Sequence, residues 1–344
     1  ELAGWQEPPY DTDIGKQLLK EMVIRDVNHP CIVLWSNGNE GGWNTDLDDE
    51  FAKYDPQKRQ VIHPYQIFRG TDTEHYKPYG YGVNSFFYGR DIFFPTEILH
   101  GLYDGGLGAG LDDYWNLMLQ KPMSAGAFLW CFVDEGVVRT DKEGIIDTDQ
   151  NHAPDGILGP YREKEGSFYT IKEIWSPVYI EKQNMTPLFD GKLMVENRFY
   201  YTNLNQCTIS WRLVDFPLPY ENNTEPVTKA SGMVSIPSIQ PQRKGIIHMN
   251  LPETWEEHDA LYLTATDPYG REIITRSWAL QKPAAIAEKI VPSSSEEVPI
   301  VSENKEFLTV KVNGIEYKFD KTRGVLNMVT NEKGRISFSD GPVI

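Results

Sequence analysis

Two glutamates sit where catalytic carboxylates would be placed. Glu40 closes Cys31-Ile-Val-Leu-Trp-Ser-Asn-Gly-Asn-Glu40, an apolar run followed by a small polar turn. Glu97 closes Asp91-Ile-Phe-Phe-Pro-Thr-Glu97, a segment of similar form. A short apolar run bounded by turn residues reads as a fully buried strand, and strand, turn and helix in succession make the βα unit of a parallel sheet. In a (β/α)8 barrel the residue just past a strand's C-terminal end faces the active-site cleft. Two carboxylates on that rim suit cleavage of a glycosidic bond: one protonates the leaving oxygen, the other attacks the anomeric carbon or activates water. Glu40 alone reads better as a surface carboxylate in a helix-start turn, and Glu97 alone could cap a helix; it is the pair that carries the argument.

The elements that would position them follow in order. Asp11-Thr12-Asp13 caps a helix over 14–26 with Leu18, Leu19, Met22, Val23 and Ile24 as its apolar face. Cys31–Trp35 is the first strand, with Trp35 expected in the barrel interior. Asn44–Tyr54 is a helix with an acidic, solvated face, and Gln60–Tyr65 a strand. The segment 68–88 is aromatic and Gly-rich without a clear period, with room for one further strand. Asp91–Thr96 is a strand, Leu111–Gln120 a helix, Ala125–Phe132 the last buried strand, and Phe168–Ile174 the closing helix. The rhythm changes near Pro187. Six alternating stretches between Leu193 and Leu280, split by Asn, Gly and Pro turns, suggest a sandwich of about seven strands. Lys282–Asn304, with Pro292-Ser-Ser-Ser-Glu-Glu297, reads as a linker. Phe307–Val312, an Asn313-Gly314 turn and Ile315–Phe319 open a further β-domain.

Composition narrows the function classes. The chain has 344 residues and a formal net charge of −17, which argues against nucleic acid or an anionic membrane as the main partner. No apolar run is long enough to span a bilayer. Three scattered cysteines make no disulfide framework. Nine Trp and eighteen Tyr supply flat apolar faces that suit sugar rings, though large cores use them too.

Arg25-Asp-Val-Asn-His-Pro30, Trp35-Ser36 and Gly38-Asn39-Glu40 together resemble the signature of glycoside hydrolase family 2, the β-galactosidase family. The resemblance implies that Glu40 is the acid/base and that Asn39 binds the sugar 2-hydroxyl. Pro95-Thr-Glu-Ile-Leu-His100 resembles the segment carrying the nucleophile, which implies that role for Glu97 and a supporting one for His100. Gly126-Ala-Phe-Leu-Trp130 resembles the last barrel strand, with Trp130 lining the sugar site. His63, at a strand end, is a further candidate to face the sugar, set equally against packing in the barrel.

The resemblance covers nearly the whole chain. It implies an α/β plus β architecture: a partial (β/α)8 TIM barrel at 1–182, an immunoglobulin-like β-sandwich at 183–282, a linker at 283–305 and the start of a C-terminal β-domain at 306–344. Both ends read as cut, so the chain alone is expected to be a poor hydrolase, and its compartment, bacterial periplasm or cytoplasm, cannot be read from it. The implied activity is retaining hydrolysis of terminal β-linked sugars, β-D-galactosides first, acting on a β-linked oligosaccharide or glycoside. A homo-oligomer is left open. A β-glucuronidase, a β-mannosidase and a non-catalytic carbohydrate-binding fragment are the alternatives. Two departures stand out. The family's magnesium site beside the acid/base uses an upstream Glu-x-His, whereas here Glu1–Glu7 has no histidine and only Gln6 or Glu7 could stand in, so no metal is expected. Cys131 replaces an aspartate common after the strand-8 Trp.

Overall fold

A computed structural model describes residues 12–99, 110–147, 154–291 and 297–337. The chain divides into two compact units, Glu1–Pro177 and Val178–Ile344.

The first unit alternates short strands with helices. In α1 (Thr12–Asp26), Leu19 and Val23 are fully buried. Leu18 and Ile24, expected on the same face, are about half exposed. With 3.6 residues per turn, positions i and i+4 share a face and their immediate neighbours rotate off it. Strand β1 (Leu34–Ser36) and, beyond α2 (Phe51–Tyr54), strand β2 (Gln60–Ile62) pair in parallel, Trp35 opposite Val61. The single helix expected over 44–54 is instead a 3-10 turn, Thr45–Leu47, followed by α2. Of the three residues between them, Asp48 is buried and committed to tertiary hydrogen bonds.

Trp35 is not placed where the sequence leads us to expect it. It packs with Leu19, Leu47 and Phe51 between the strands and the helices, and its indole donates to Asp55 Oδ2 at 2.9 Å. Side chains alternate along a strand, so Leu34 and Ser36 take the other face.

The aromatic segment holds the further strand anticipated for it, and more. β3 (Ile67–Phe68) pairs antiparallel with β4 (Thr71–Asp72), which is followed by α3 (Tyr79–Tyr88). β4 then pairs in parallel with β5 (Ile92–Phe93). After α4 (Gly110–Leu119), the stretch expected as a last buried strand forms no continuous ladder; it meets 93–98 at the isolated parallel bridges Phe93–Ser124 and Ile98–Leu129 and through single backbone hydrogen bonds. Pro95 lies in the partner segment and has no N–H to extend the ladder, although its carbonyl accepts from Phe128 N at 3.0 Å. Phe128 and Phe132 are about 60% exposed, while Ala127 and Leu129 pack with Ile98, Ile157 and Ile171. A hairpin, β6 (Val137–Arg139) and β7 (Ile145–Asp147), a parallel bridge from Val133 to Leu158 and α5 (Gly166–Ile174) complete the described part of the unit.

The second unit is antiparallel. β8 (Val178–Ile180), β9 (Lys192–Asn197) and β12 (Arg243–His248) form one sheet in the order β12-β9-β8. β10 (Thr208–Asp215), β11 (Val227–Val234), β13 (Ala260–Thr266) and β14 (Glu272–Ala279) form another in the order β11-β10-β13-β14. Inward residues of both, among them Val195, Ile209, Leu213, Ile247 and Leu263, share one dry core. The segment expected as a linker carries α6 (Pro283–Ile290) and β15 (Ile300–Glu303), because Pro at the first helical turn favours a helix start. β15 leads a five-stranded meander with β16 (Phe307–Val312), β17 (Ile315–Asp320), β18 (Val325–Asn331) and β19 (Gly334–Ser337). Asn313 and Gly314 both have positive φ, as the two-residue hairpin turn requires. No helix among the described residues is long and apolar enough to cross a membrane.

Candidate active site

Glu40 stands in the turn beyond β1. The backbone N–H of Asn37 donates to Ile62 O at 3.0 Å, carrying the parallel pairing one residue past the strand end. Gly38 then takes φ +76, where a Cβ would lie 2.4 Å from the carbonyl oxygen of Gly42, so only glycine fits. Glu40 itself has φ +42, a left-handed conformation that costs a non-glycine residue about 1–3 kcal/mol. A buried network beneath the turn holds it. Asn37 Nδ2 donates to Asn44 O at 3.0 Å and to Asp48 Oδ1 at 2.7 Å.

His63 belongs to that network. Its Nε2 lies 2.7 Å from Asp48 Oδ1 and its Nδ1 lies 3.1 Å from Gln66 Oε1. The ring is stacked between Trp43 and Phe68, with centroids at 5.5 and 3.7 Å. With both nitrogens and both ring faces engaged there, the structure does not bring His63 to the two glutamates as a sugar contact; it supports the turn.

Glu97 lies beyond β5 and comes back to the Glu40 turn. Asn39 Nδ2 donates to Glu97 Oε1 at 3.3 Å and the Tyr76 hydroxyl donates to Glu97 Oε2 at 2.9 Å. His75, whose side chain is fully buried, joins the two glutamates. Its Nδ1 is 2.9 Å from Glu40 Oε1 and 3.6 Å from Glu97 Oε2. One oxygen of each carboxylate and one His75 nitrogen all fall within 4.8 Å of one another. Burial, then the hydrogen bond from Tyr76 to Glu97 and the charges of Glu97, Glu40 and Asp155, push the Tyr76 phenol well above its ordinary value, so it remains a donor.

Asn39, Glu97 and Trp130 also line a cleft of about 390 Å³, together with Ser36, Phe94 and Phe128. The Trp130 indole donates to Asp155 Oδ2 at 3.1 Å, and the Trp130–Cys131 peptide is cis. Burial first, and then the charge of Asp155, pushes the Cys131 thiol up to about 11, so at neutral pH it is a thiol that donates to Val133 O. His100 lies outside the described residues, as do Gln6 and Glu7.

His75, Tyr76 and Asp155 were not identified as site residues from the sequence. The available signal was His75-Tyr76 inside a long aromatic segment, which marked the region without saying which side chains return to Glu97.

Among the described residues, Glu40, His75 and Glu97 are the group able to gather on a metal ion. Magnesium favours octahedral oxygen ligands with several waters. The His75 nitrogen nearest Glu40 is already engaged with its Oε1 at 2.9 Å, and the upstream candidates Gln6 and Glu7 lie outside the described residues.

Comparison with known proteins gives the chain's relatives. The family described as "Glycosyl hydrolases family 2, TIM barrel domain" matches residues 7–62. A β-galactosidase of Priestia megaterium is 26% identical over 339 residues, spanning 89% of this chain and 31% of the relative. A β-galactosidase of Pectobacterium atrosepticum is 22% identical over 349 residues, spanning 90% and 32%. The chain therefore spans about a third of the length of these curated relatives. Among solved structures, an exo-chitosanase of Amycolatopsis orientalis aligns over 98% of this chain and 47% of its own at 12% identity, with a TM-score of 0.36, too slight a likeness to carry an argument.

Proposed function

The chain belongs to glycoside hydrolase family 2, and from that premise we propose that it carries the catalytic glutamates of a retaining β-glycosidase, with Glu40 as acid/base and Glu97 as nucleophile. The observation that carries the reading is the convergence of both carboxylates on His75 within 4.8 Å. Retaining enzymes hold their carboxyl groups about 5–5.5 Å apart, and inverting ones about 6.5–9.5 Å apart to admit water.

On this reading the Glu97 carboxylate attacks the anomeric carbon while the bond to the aglycone oxygen breaks and Glu40 gives that oxygen its proton. The product is a glycosyl ester on Glu97. Water then attacks the same carbon, Glu40 takes the water's proton, and the ester bond breaks to restore Glu97. Asn39 and Tyr76 hold the two Glu97 oxygens in place, which keeps the attacking oxygen aimed without reorganisation. Trp130 supplies an apolar face to the sugar, its indole fixed by Asp155. His100 is proposed to support the nucleophile.

The names of the relatives favour terminal β-D-galactosides. A glucuronide would call for a cation at the sugar carboxylate. Both cations of the aromatic segment are already paired, Arg69 with Asp49 at 3.0 Å and Lys77 with Glu74 at 2.8 Å. The parallel pairings from β1 onward support later strands of a (β/α)8 barrel, and the shared core of the two sheets after Val178 supports an immunoglobulin-like sandwich.

The test is hydrolysis of p-nitrophenyl β-D-galactoside, glucuronide and mannoside by the protein at its full natural length. Turnover of the galactoside, lost in both Glu40→Gln and Glu97→Gln, is the expected result. Wild-type turnover by either variant would refute the assignment.

A further inference from the structure

Resting on Glu40 as acid/base, we propose that His75 is its positioning residue: a buried imidazole that gives its Nδ1 hydrogen to Glu40 Oε1 and leaves Oε2 to meet the aglycone oxygen. The two ring nitrogens each have one near partner. Nδ1 lies 2.9 Å from Glu40 Oε1, and Nε2 lies 2.8 Å from the Thr96 hydroxyl. Which ring nitrogens carry hydrogen follows from what each one faces.

Glu40 fixes one of them. A carboxylate oxygen only accepts, so the nitrogen facing Glu40 Oε1 is the one that must carry hydrogen. On the other side of the ring the Thr96 hydroxyl donates to Thr73 O at 3.1 Å and meets Nε2 with its oxygen, a contact that a hydroxyl can satisfy as donor or as acceptor.

The Nδ1 donor is directed at one carboxylate. Glu97 Oε2 is 3.6 Å from the same nitrogen, beyond hydrogen-bond length, and has Tyr76 instead. Glu40 Oε2 receives no hydrogen bond from the described residues, and the Glu40 side chain is a quarter exposed. A donor fixed on Oε1 serves both chemical states of Glu40. It is weakly engaged while Oε2 carries the proton and strengthens as the carboxylate forms, when the bond becomes charge-assisted. His75 touches neither sugar nor reacting atoms; it acts through Glu40.

The distinguishing readout is dependence on the leaving group, because aid to proton donation matters most when the departing oxygen is basic. The measurement is kcat and KM of the full-length protein on phenyl and 2,4-dinitrophenyl β-D-galactosides, with azide as an added nucleophile. The comparison is His75→Phe with His75→Asn, whose amide Nδ2 occupies the place of Nδ1. For His75→Phe the expected result is a loss of about 100-fold in kcat/KM on the phenyl substrate, where moving a catalytic group by ~1 Å has that effect. The loss on the dinitrophenyl substrate should be under about tenfold, with slow turnover restored by azide. His75→Asn should recover most of the loss. Equal losses on both substrates, or no recovery with Asn, would reduce His75 to a structural residue and overturn the proposal. Failure of the underlying reading looks different: Glu40→Gln and Glu97→Gln, assayed alongside, would then keep wild-type rates.

Discussion

Asn39 donates to Glu97 across 58 positions of the chain, at 3.3 Å. That one bond ties the turn after β1 to the loop after β5, and with them Glu40 to Glu97. Replacing Asn39 by Ala should lower kcat/KM on an aryl β-galactoside by about 10–100-fold, the range of a hydrogen bond to a charged group at roughly 1.5–3 kcal/mol. Asn39→Asp should lose more, because it sets a second negative charge against Glu97. If Asn39 also holds the 2-hydroxyl, both losses should shrink on a 2-deoxy substrate.

Tyr76→Phe removes one oxygen and nothing else. Its hydroxyl donates to the other oxygen of Glu97, and burial keeps the phenol protonated. The expected effect is a fall in kcat of about 10–100-fold with KM nearly unchanged, since the bond orients the nucleophile rather than the sugar. A change confined to KM would move Tyr76 out of this role.

Beneath β1, Asp55 anchors the strand that leads to Glu40. It accepts from the Trp35 indole, from the backbone N–H of Gln57 and of Arg59, and from the Arg59 guanidinium at 3.0 Å. Burial pushes its carboxyl up, but those donors and the Arg59 charge outweigh it and hold the group below the usual carboxylate range. A depressed folded value means that the contribution is present above the unfolded value and is lost as pH falls through the folded one. Asp55→Asn should therefore cost about 3–5 kcal/mol at pH 7, as for one partner of a buried pair. Urea unfolding at a series of pH values should show the gap from wild type closing as the medium becomes acidic.

Asp134 should behave in the opposite sense. Burial raises its carboxyl above the ordinary value despite the hydrogen bond from Gly156 N at 2.9 Å, and neighbouring Asp155 and Glu163 add to the rise. A raised folded value gives stability that is full below the unfolded value and is lost as pH rises through the folded one. Asp134→Asn keeps an acceptor for Gly156 and removes that loss. The variant should match wild type in acid and exceed it in urea resistance at pH 7; a variant weaker than wild type at pH 7 would contradict the reasoning.

The glutamates and their turn were legible because local chemistry writes them into the chain. An apolar run, a glycine that no other residue can replace and a following carboxylate are contiguous in sequence, although within the run only Trp35 is buried and Val33 is exposed. The six strands between Lys192 and Ala279 were legible for a similar reason: alternation and turn residues act over a few positions. Trp35 was misplaced because an apolar residue in a three-residue strand looks the same whichever layer it enters, and Asp55 lies twenty positions away. His75 was passed over because its value lies in meeting Glu40 and Thr96 from a third segment, a relation no local pattern records. His63 drew attention as a histidine at a strand end, yet Asp48 and Gln66 engage its two nitrogens and Trp43 and Phe68 stack on its ring.

The role of Glu97 as nucleophile is tested most directly by trapping its ester. Full-length protein incubated with 2,4-dinitrophenyl 2-deoxy-2-fluoro-β-D-galactoside should release one equivalent of dinitrophenol and stop. Peptide mass spectrometry should then place one fluorosugar on the peptide containing Glu97, with none in Glu97→Gln. An adduct on a different carboxylate, or hydrolysis of ordinary galactosides with inverted anomeric configuration and no adduct, would contradict it.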